Sequence, residues 1–421
     1  MLDQNSYNQH KLKHPLESLK AADLREQSFT KFMSEGLPSK KDEAWKFTSL
    51  SEVKNISWSL PEGEVFLTHD EMVYVSKQLS SDFYNLVFVN GVINNTLSDS
   101  DIQYELKELE EGDYKVSEKH TEHKLAHLSR GFNSTKLVIH VDKSNQLDKP
   151  LQIVHVISGA VSTLVQPVIH INIAPQCELK LINHYLGLNS VKKASHLFNA
   201  ELTVNVGDSA HLKIVNLENS HLSDFYFGRV TLIAHKYSQI VSLNVAVGSK
   251  LSRHYLENRF EGEGASSGVY GLSLLAQEQH CDNYTFINHK LGHNQSVQHY
   301  KSILADKSHS VFRGRVRIEQ DAQKANSEQL NNNLLLSKNT QADSVPQLEI
   351  YADDVKAGHG STVGRLNQEE IFYFLSRGIS EKQAVQMLSH GYAKELVYKL
   401  ENESIENFVF QILDQKLNEI F

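Results

Sequence analysis

Residues Leu348–Gly378 read LEIYADDVKAGHGSTVGRLNQEEIFYFLSRG and join the two kinds of structure found in the rest of the chain. Alternating apolar residues at the start predict a strand that ends before Asp353. The glycine-rich segment GHGSTVG, 358–364, predicts a short flexible loop that carries His359. Asn367 can cap a helix whose apolar stripe ends near Gly378. The stretch therefore predicts a strand, a histidine-bearing loop and a helix.

Composition limits the class of protein. The 421 residues are 40% hydrophobic, enough for a large core in two or three domains or in one long β unit. The formal net charge of −9 disfavours a nucleic-acid binder, which needs a basic surface. No apolar run approaches the roughly 18 residues of a membrane-spanning helix, and residues 1–14 lack the apolar core of a signal peptide. We expect a soluble cytoplasmic protein.

The chain has two cysteines, Cys177 and Cys281, far apart in sequence. Neither belongs to a C-x-x-C pair, which disfavours both a disulfide framework and a self-contained four-cysteine zinc or iron–sulfur site. Histidine is abundant, with 22 copies, and covering a half-polar β surface is the simpler role for any single one. Metal binding therefore needs support from a specific motif.

Short alternating strands follow one another through the middle of the chain. The segments INIAPQCELKLIN, VNVGDSAHLKIVN and LIAHKYSQIVSLNV resemble one another, and aligning Leu179, Leu212 and Ile240 gives spacings of 33 and 28 residues. Recurrence of this kind suggests stacked β units that each bury a face on the next. A β-sandwich gives a similar pattern, so the periodicity leaves both architectures open.

Helical patterns flank the β region. Residues 1–65 form an expected N-terminal helical region, in which Trp45 docks onto the body, and 66–130 are a mixed connecting region. Residues 365–421 predict a C-terminal helical region, with a capping box at Ser380 and Gln383. We expect its helices to form a separate folding unit, whose apolar stripe is buried on the body or a partner.

Four segments together resemble the SufB/SufD family, the scaffold proteins of the SUF iron–sulfur cluster assembly system. They are the opening stretch, KDEAWKFTSL at Lys41–Leu50, VFVNGV at Val87–Val92 and AQKANSEQLNNNLLLS at Ala322–Ser337. The length and the Trp45 segment favour the SufD branch. The resemblance implies a mainly β fold: a right-handed parallel β-helix core at 131–364, flanked by the two helical regions.

The resemblance also implies a function. It indicates a non-catalytic scaffold or accessory subunit that pairs with a SufB-like paralogue, binds a SufC-like ABC ATPase and assists iron acquisition. Whether the isolated chain forms a homodimer is left open by the sequence. It implies no cofactor bound stably by this chain alone, but transient iron or a nascent iron–sulfur cluster at the subunit interface. The partner-binding candidates are Leu348, Ile350, Phe372, Tyr373, Arg377, Met387 and Leu388.

His359 is the candidate metal ligand. Family members often carry a cysteine where this chain has Ala357, so the thiolate of the motif is missing here. A neutral imidazole suits iron(II), and we expect Asp353 and Asp354 to orient it. The alternative role of the same segment, a phosphate cradle, lacks the lysine of a Walker motif.

Two other functional classes are open to a protein with this β pattern: an enzyme and a structural protein. Parallel β-helices also host enzymes acting on polysaccharide, but the β region has no evident set of paired carboxylates, or of carboxylate and arginine, on one face. A purely structural self-assembling β protein is disfavoured by the amphipathic C-terminal region. We also expect hydrogen-bonded ladders between successive strands from the asparagines Asn326, Asn331, Asn332 and Asn333.

Overall fold

The computed structural model describes residues 3–12, 17–61, 63, 65–110, 123–133, 135–188 and 194–421. The chain is 41% strand and 24% helix, arranged as a parallel β-solenoid of about eight turns with helices at both chain ends. The predicted β-helix is therefore confirmed. The sandwich is excluded because the strands of successive turns pair in parallel, and each sheet has only one antiparallel pair among the described residues, at its N-terminal edge.

Most helices lie towards the two ends of the sequence, and one helix, at 123–131, follows the first three strands. The helices are α1 (Gln4–Leu12), α2 (Leu19–Glu35), α3 (Ser51–Asn55), α4 (His69–Ser76), α5 (His123–Gly131), α6 (Gln368–Ser376), α7 (Glu381–Val397) and α8 (Glu403–Ile420). The strands are β1 (Tyr84–Val89), β2 (Val92–Ile93), β3 (Glu105–Glu108), β4 (Thr135–Val141), β5 (Leu151–Ile157), β6 (Leu164–Val165), β7 (Val168–Ile173), β8 (Glu178–Gly187), β9 (Leu197–Val206), β10 (His211–Asn219), β11 (Phe225–Ala234), β12 (Gln239–Ala246), β13 (Leu251–Phe260), β14 (Ser266–Leu275), β15 (His280–His289), β16 (Gln295–Leu304), β17 (His309–Ile318), β18 (Asn326–Leu335), β19 (Gln341–Ile350) and β20 (Lys356–Gly364).

Two sheets face each other. Sheet one has the order β2-β1-β5-β8-β10-β12-β14-β16-β18-β20, and sheet two has the order β19-β17-β15-β13-β11-β9-β7-β4-β3. Leu212 lies opposite both Leu179 and Ile240, so the recurrence read from the sequence gives the register of three neighbouring strands. These side chains are buried in the apolar core between the sheets, where each turn covers the one before it.

Asparagine ladders exist, but at other positions than predicted. Asn205 donates to Asn172 at 2.9 Å and Asn183 to Asn216 at 3.3 Å, each between adjacent strands. The stack of asparagine on asparagine expected from Asn331–Asn333 is wrong: these residues lie opposite Tyr300, Lys301 and Ser302 on one side and opposite Ser361, Thr362 and Val363 on the other. Asn332 does bond to the next strand, but its partner there is Thr362. Asn326 likewise lies opposite Gln295 and Lys356.

The N-terminal region covers the outer face of sheet two. Trp45 is fully buried, with its ring edge-on to Phe227 of β11 at 6.2 Å. The guanidinium of Arg253 lies 4.0 Å from the Trp45 ring and pairs with Asp282. Trp45 therefore has a packing role, and cation–π contact with a paired arginine strengthens it.

The C-terminal helices share a core with sheet one. Leu396, Val409 and Leu413 pack in one buried cluster with Val215 and Leu243 of the solenoid. The expectation of a separate folding unit is therefore wrong, since removing these helices would expose apolar strand residues to water. Among the helices of the described ranges, none has the length and apolarity needed to cross a membrane.

Candidate functional site at the open end of the solenoid

The last turn of the solenoid leaves its inner apolar face uncovered. Leu348 lies opposite Val316, and Ile350 opposite Ile318, both of which are completely buried. Ile350 is nevertheless 42% exposed, because β19 ends the order of sheet two. An edge strand of this kind presents unpaired backbone groups that another strand can pair with.

The segment GHGSTVG forms the other edge. Residues Lys356–Gly364 are strand β20, paired in parallel with β18, so the prediction of a flexible loop is wrong. The preceding strand offers a continuous row of backbone partners, and an extended glycine can use them as any residue can. None of its three glycines has positive φ, so the segment does not use the special freedom of glycine.

His359 stands on the inward-facing side of this last strand. It lies opposite Gln329, which is completely buried in β18, whereas His359 is exposed. Ala357, two residues earlier on the same face, packs against the inner core. The imidazole is thus the last in a row of inward-facing side chains at the same register position in successive strands. It is exposed because no further turn of the solenoid covers it.

The two aspartates do not orient this histidine. Asp353 and Asp354 lie in the bend before β20, where Gln323 binds the Asp354 amide at 2.9 Å. The extended backbone from Lys356 to His359 alone spans about 10 Å, beyond hydrogen-bonding reach. In the described residues no three histidine, cysteine or acidic side chains gather to hold a metal. Among the described residues, a metal ion at His359 would therefore have a single protein ligand, the imidazole.

An outward-facing ladder holds the edge strand in place. Asn332 donates to Thr362 Oγ1 at 2.7 Å, and its Oδ1 lies 2.6 Å from His299 Nε2. These three residues belong to three successive strands, about 30 residues apart along the chain. Sequence reasoning named Asn332 as a ladder residue but missed its partners His299 and Thr362, and it missed Gln329 beside His359. The register given by the 28- to 33-residue recurrence is the signal that finds such neighbours.

The remaining partner-binding candidates lie on α6, on its C-cap residue Arg377 and on α7. Phe372 is 69% exposed, Tyr373 57% and Met387 52%, while Leu388 is half-buried. The Arg377 guanidinium lies 5.1 Å from the Tyr373 ring.

The caps of α6 and α7 follow the sequence. Asn367 accepts the Glu369 amide at 2.9 Å, and Ser380 and Gln383 form a capping box. The two helices therefore start where predicted and present an apolar surface to solvent.

Buried carboxylates of sheet two are in ion pairs. Arg259 Nε lies 2.6 Å from Glu257, and Arg229 and Arg253 pair with Glu201 and Asp282. In each pair the arginine neutralises the carboxylate inside the packed face of the solenoid. These carboxylates give the polysaccharide alternative no support.

Comparison with known proteins identifies the class that this fold and open end belong to. Residues 155–392 match the family model described as SUF system FeS cluster assembly, SufBD core domain. That match covers more than half of the chain, so the protein belongs to the SufBD family of the SUF iron–sulfur cluster assembly system.

Within the family the chain is SufD-like. It is 31% identical to the iron–sulfur cluster assembly protein SufD of Escherichia coli, over 95% of this chain and 94% of that protein. It is 25% identical to a SufBD family protein of Synechocystis, covering 88% of this chain and 85% of the relative. It is also 24% identical to the chloroplastic protein ABCI7 of Arabidopsis thaliana, over 93% of this chain and 85% of that protein.

Proposed function

We propose that this chain is a non-catalytic scaffold subunit in iron–sulfur cluster assembly. It pairs with a SufB-like paralogue, docks a SufC-like ABC ATPase and contributes one ligand to iron or a nascent cluster. The observation that carries the proposal is the open last turn, in which both sheets end in an edge strand and an inner apolar row stops uncovered.

Pairing through this end has a physical basis. A second β-solenoid placed against β19 and β20 would pair their free backbone groups and cover Leu348 and Ile350. His359 would then leave solvent and lie at the joint between the subunits. Ala357 supplies no thiolate, so the cysteine ligands of a cluster would come from the paralogue.

ATPase docking is assigned to the exposed surface of α6 and α7. Phe372, Tyr373 and Met387 are large apolar side chains that stay in water in this chain, although the other side of α7 is buried on sheet one. Aromatic and methionine side chains are enriched in protein interfaces, where they bury much area.

The subunit joint is tested by Ile350→Asp. The charge would be buried unpaired on association, so we expect binding to a co-expressed SufB-like paralogue to weaken at least about tenfold. Val161→Asp is the matched control, because Val161 is also exposed, at 59%, but lies before β6 near the first turns. Affinity is measured by titrating the purified subunits, with melting temperatures to confirm folding. Undiminished affinity in a folded Ile350→Asp variant would move the joint to another surface.

A further inference from the structure

The two edge strands of the open end differ in the backbone groups that they offer to a partner. In a parallel ladder, alternate residues direct their N–H and C=O towards one neighbouring strand, and the residues between them direct theirs away from it. The Gln341 amide donates to the Ser308 carbonyl at 3.0 Å. The Tyr351 amide donates to the Ile318 carbonyl at 2.9 Å. Odd-numbered residues of β19 therefore pair with β17, and even-numbered residues face the open edge.

The open edge of β20 is complete. The Lys356 amide donates to the Ala325 carbonyl at 2.9 Å, so the even-numbered residues of β20 pair with β18. Each odd-numbered residue then offers one backbone donor and one acceptor to a partner strand, because none of them is a proline. These edge-facing residues are Ala357, His359, Ser361 and Val363.

The open edge of β19 is interrupted at its middle by Pro346. Proline has no amide hydrogen, and its ring carbon Cδ takes the place of that hydrogen. A partner carbonyl at the usual hydrogen-bond distance of about 2.9 Å from the nitrogen would lie within about 2 Å of this carbon. Carbon and oxygen already touch at about 3.3 Å. A straight partner strand therefore cannot pass Pro346 without moving away from β19.

The two halves of the β19 edge differ in apolar area. On one side of Pro346 the edge-facing residues are Leu348 and Ile350, which continue the apolar row of the inner core. On the other side they are Ala342 and Ser344, which are small. Covering the first pair removes more apolar surface from water, so a partner strand that can pair with only one half gains more at Leu348 and Ile350.

We propose that Pro346 ends strand pairing on sheet two at the subunit joint. The partner strand pairs with the backbone of Leu348 and Ile350 and leaves β19 at Pro346, whereas a second partner strand pairs along the whole edge of β20. The joint is then centred on the half of the open end that holds Ala357 and His359. This proposal rests on the proposed pairing with a SufB-like paralogue, which it makes more specific.

The test is residue-resolved amide hydrogen exchange of the full chain, alone and in complex with the SufB-like paralogue. Edge-facing amides exchange quickly in the isolated chain, and new hydrogen bonds slow their exchange. We expect exchange in the complex to slow at least about tenfold at Leu348, Ile350 and His359, and to stay unchanged at Ala342 and Ser344. In Pro346→Ala the obstacle is gone, and the slow exchange should extend to Ser344.

Two proline substitutions provide a matched pair. Ser344→Pro and Leu348→Pro each remove an edge-facing amide two residues from Pro346, and neither amide belongs to the ladder with β17. Leu348→Pro should bind the paralogue at least about tenfold more weakly than Leu348→Ala, which controls for the lost side chain. Ser344→Pro should bind within about twofold of wild type. Melting temperatures confirm that each variant folds.

The outcomes separate this proposal from the proposed function. Unchanged exchange along both edges in the complex would place the joint elsewhere, and both proposals would fall. Exchange slowed equally at Ser344 and Leu348 in wild type would leave the joint in place and overturn the role of Pro346 alone. The same holds if Pro346→Ala adds no protection at Ser344, or if Ser344→Pro weakens binding as much as Leu348→Pro.

Discussion

His359 is exposed because it lies on β20, the last strand of sheet one, and not because it lies in a loop. Its inward-facing neighbours in the preceding strand, such as Gln329, are buried, and the histidine would be buried too if another turn followed. An imidazole in this position is exposed to solvent in the isolated chain. It can therefore act as a ligand once a partner supplies the others.

Substituting this histidine separates ligation from structure. His359→Ala should lower the iron and acid-labile sulfide content of the assembled complex, with little change in melting temperature because the side chain is exposed. Ala357→Cys should leave assembly intact and raise metal retention, since thiolates are strong iron–sulfur ligands. His211→Ala, at another exposed histidine far from the open end, is the control. Equal iron and sulfide in His359→Ala and wild type would reduce His359 to a surface residue.

For single residues, the sequence predicted the role of a side chain better than it predicted which other side chains lie beside it. Trp45 was predicted as a docking residue and is fully buried. The prediction that Asp353 and Asp354 orient His359 was wrong. Residues a few positions apart along an extended strand are already too far apart in space for their side chains to bond. Its neighbour is Gln329, 30 residues earlier, which only the register between turns brings close.

At the scale of secondary-structure elements, amino-acid composition gave one wrong prediction, at the glycine-rich segment. A segment with three glycines in seven residues predicts a loop, yet it forms the last strand, because β18 supplies a full row of backbone partners. The caps of α6 and α7 were predicted correctly, because capping depends on residues within one helical turn. Helix caps can thus be predicted from a few adjacent residues, whereas the strand formed by the glycine-rich segment depends on its partner in the neighbouring turn.

The exposed surface of α6 and α7 gives a prediction at the scale of an element. Phe372→Asp should abolish binding of the SufC-like ATPase, because it places a charge at the centre of an apolar contact. Melting should change little, since Phe372 is 69% exposed. Tyr237→Asp, at a similarly exposed ring in a solenoid turn, is the control. Retained ATPase binding in pull-downs with Phe372→Asp would place the docking surface elsewhere.

At the scale of the whole molecule, the buried histidines make stability depend on pH. Burial lowers the pKa to about 3 for His155, His184 and His254, and is the main cause of lowering it to about 4 for His196, His280 and His289. As pH falls below about 6.5, the unfolded chain takes up protons at these positions and the folded chain does not. The contribution of these histidines to stability is therefore full above that pH and is lost as pH falls toward 4.

His184 offers the sharpest test. It is completely buried with its ring edge-on to Phe408, and among the residues that the structure describes neither ring nitrogen has a hydrogen-bond partner. His184→Phe should reduce the loss of melting temperature between pH 8 and pH 5, since this one histidine costs on the order of 2 kcal/mol at pH 5. A parallel shift at both pH values would mean that the substitution altered packing alone.

The way α8 crosses sheet one sets a dimension for the whole chain. Phe408 lies on His184 of β8, and eight residues later Lys416 Nζ bonds to Gln279, in the turn after β14, at 3.1 Å. Those eight residues give about 12 Å of helix, and the three steps from β8 to β14 give about 14 Å. The length of α8 between these two contacts therefore matches the height of the strands on which it packs. Inserting one whole turn there would separate the two contacts by a further 5 Å or so, and the helix would need to lengthen by about three residues to restore them.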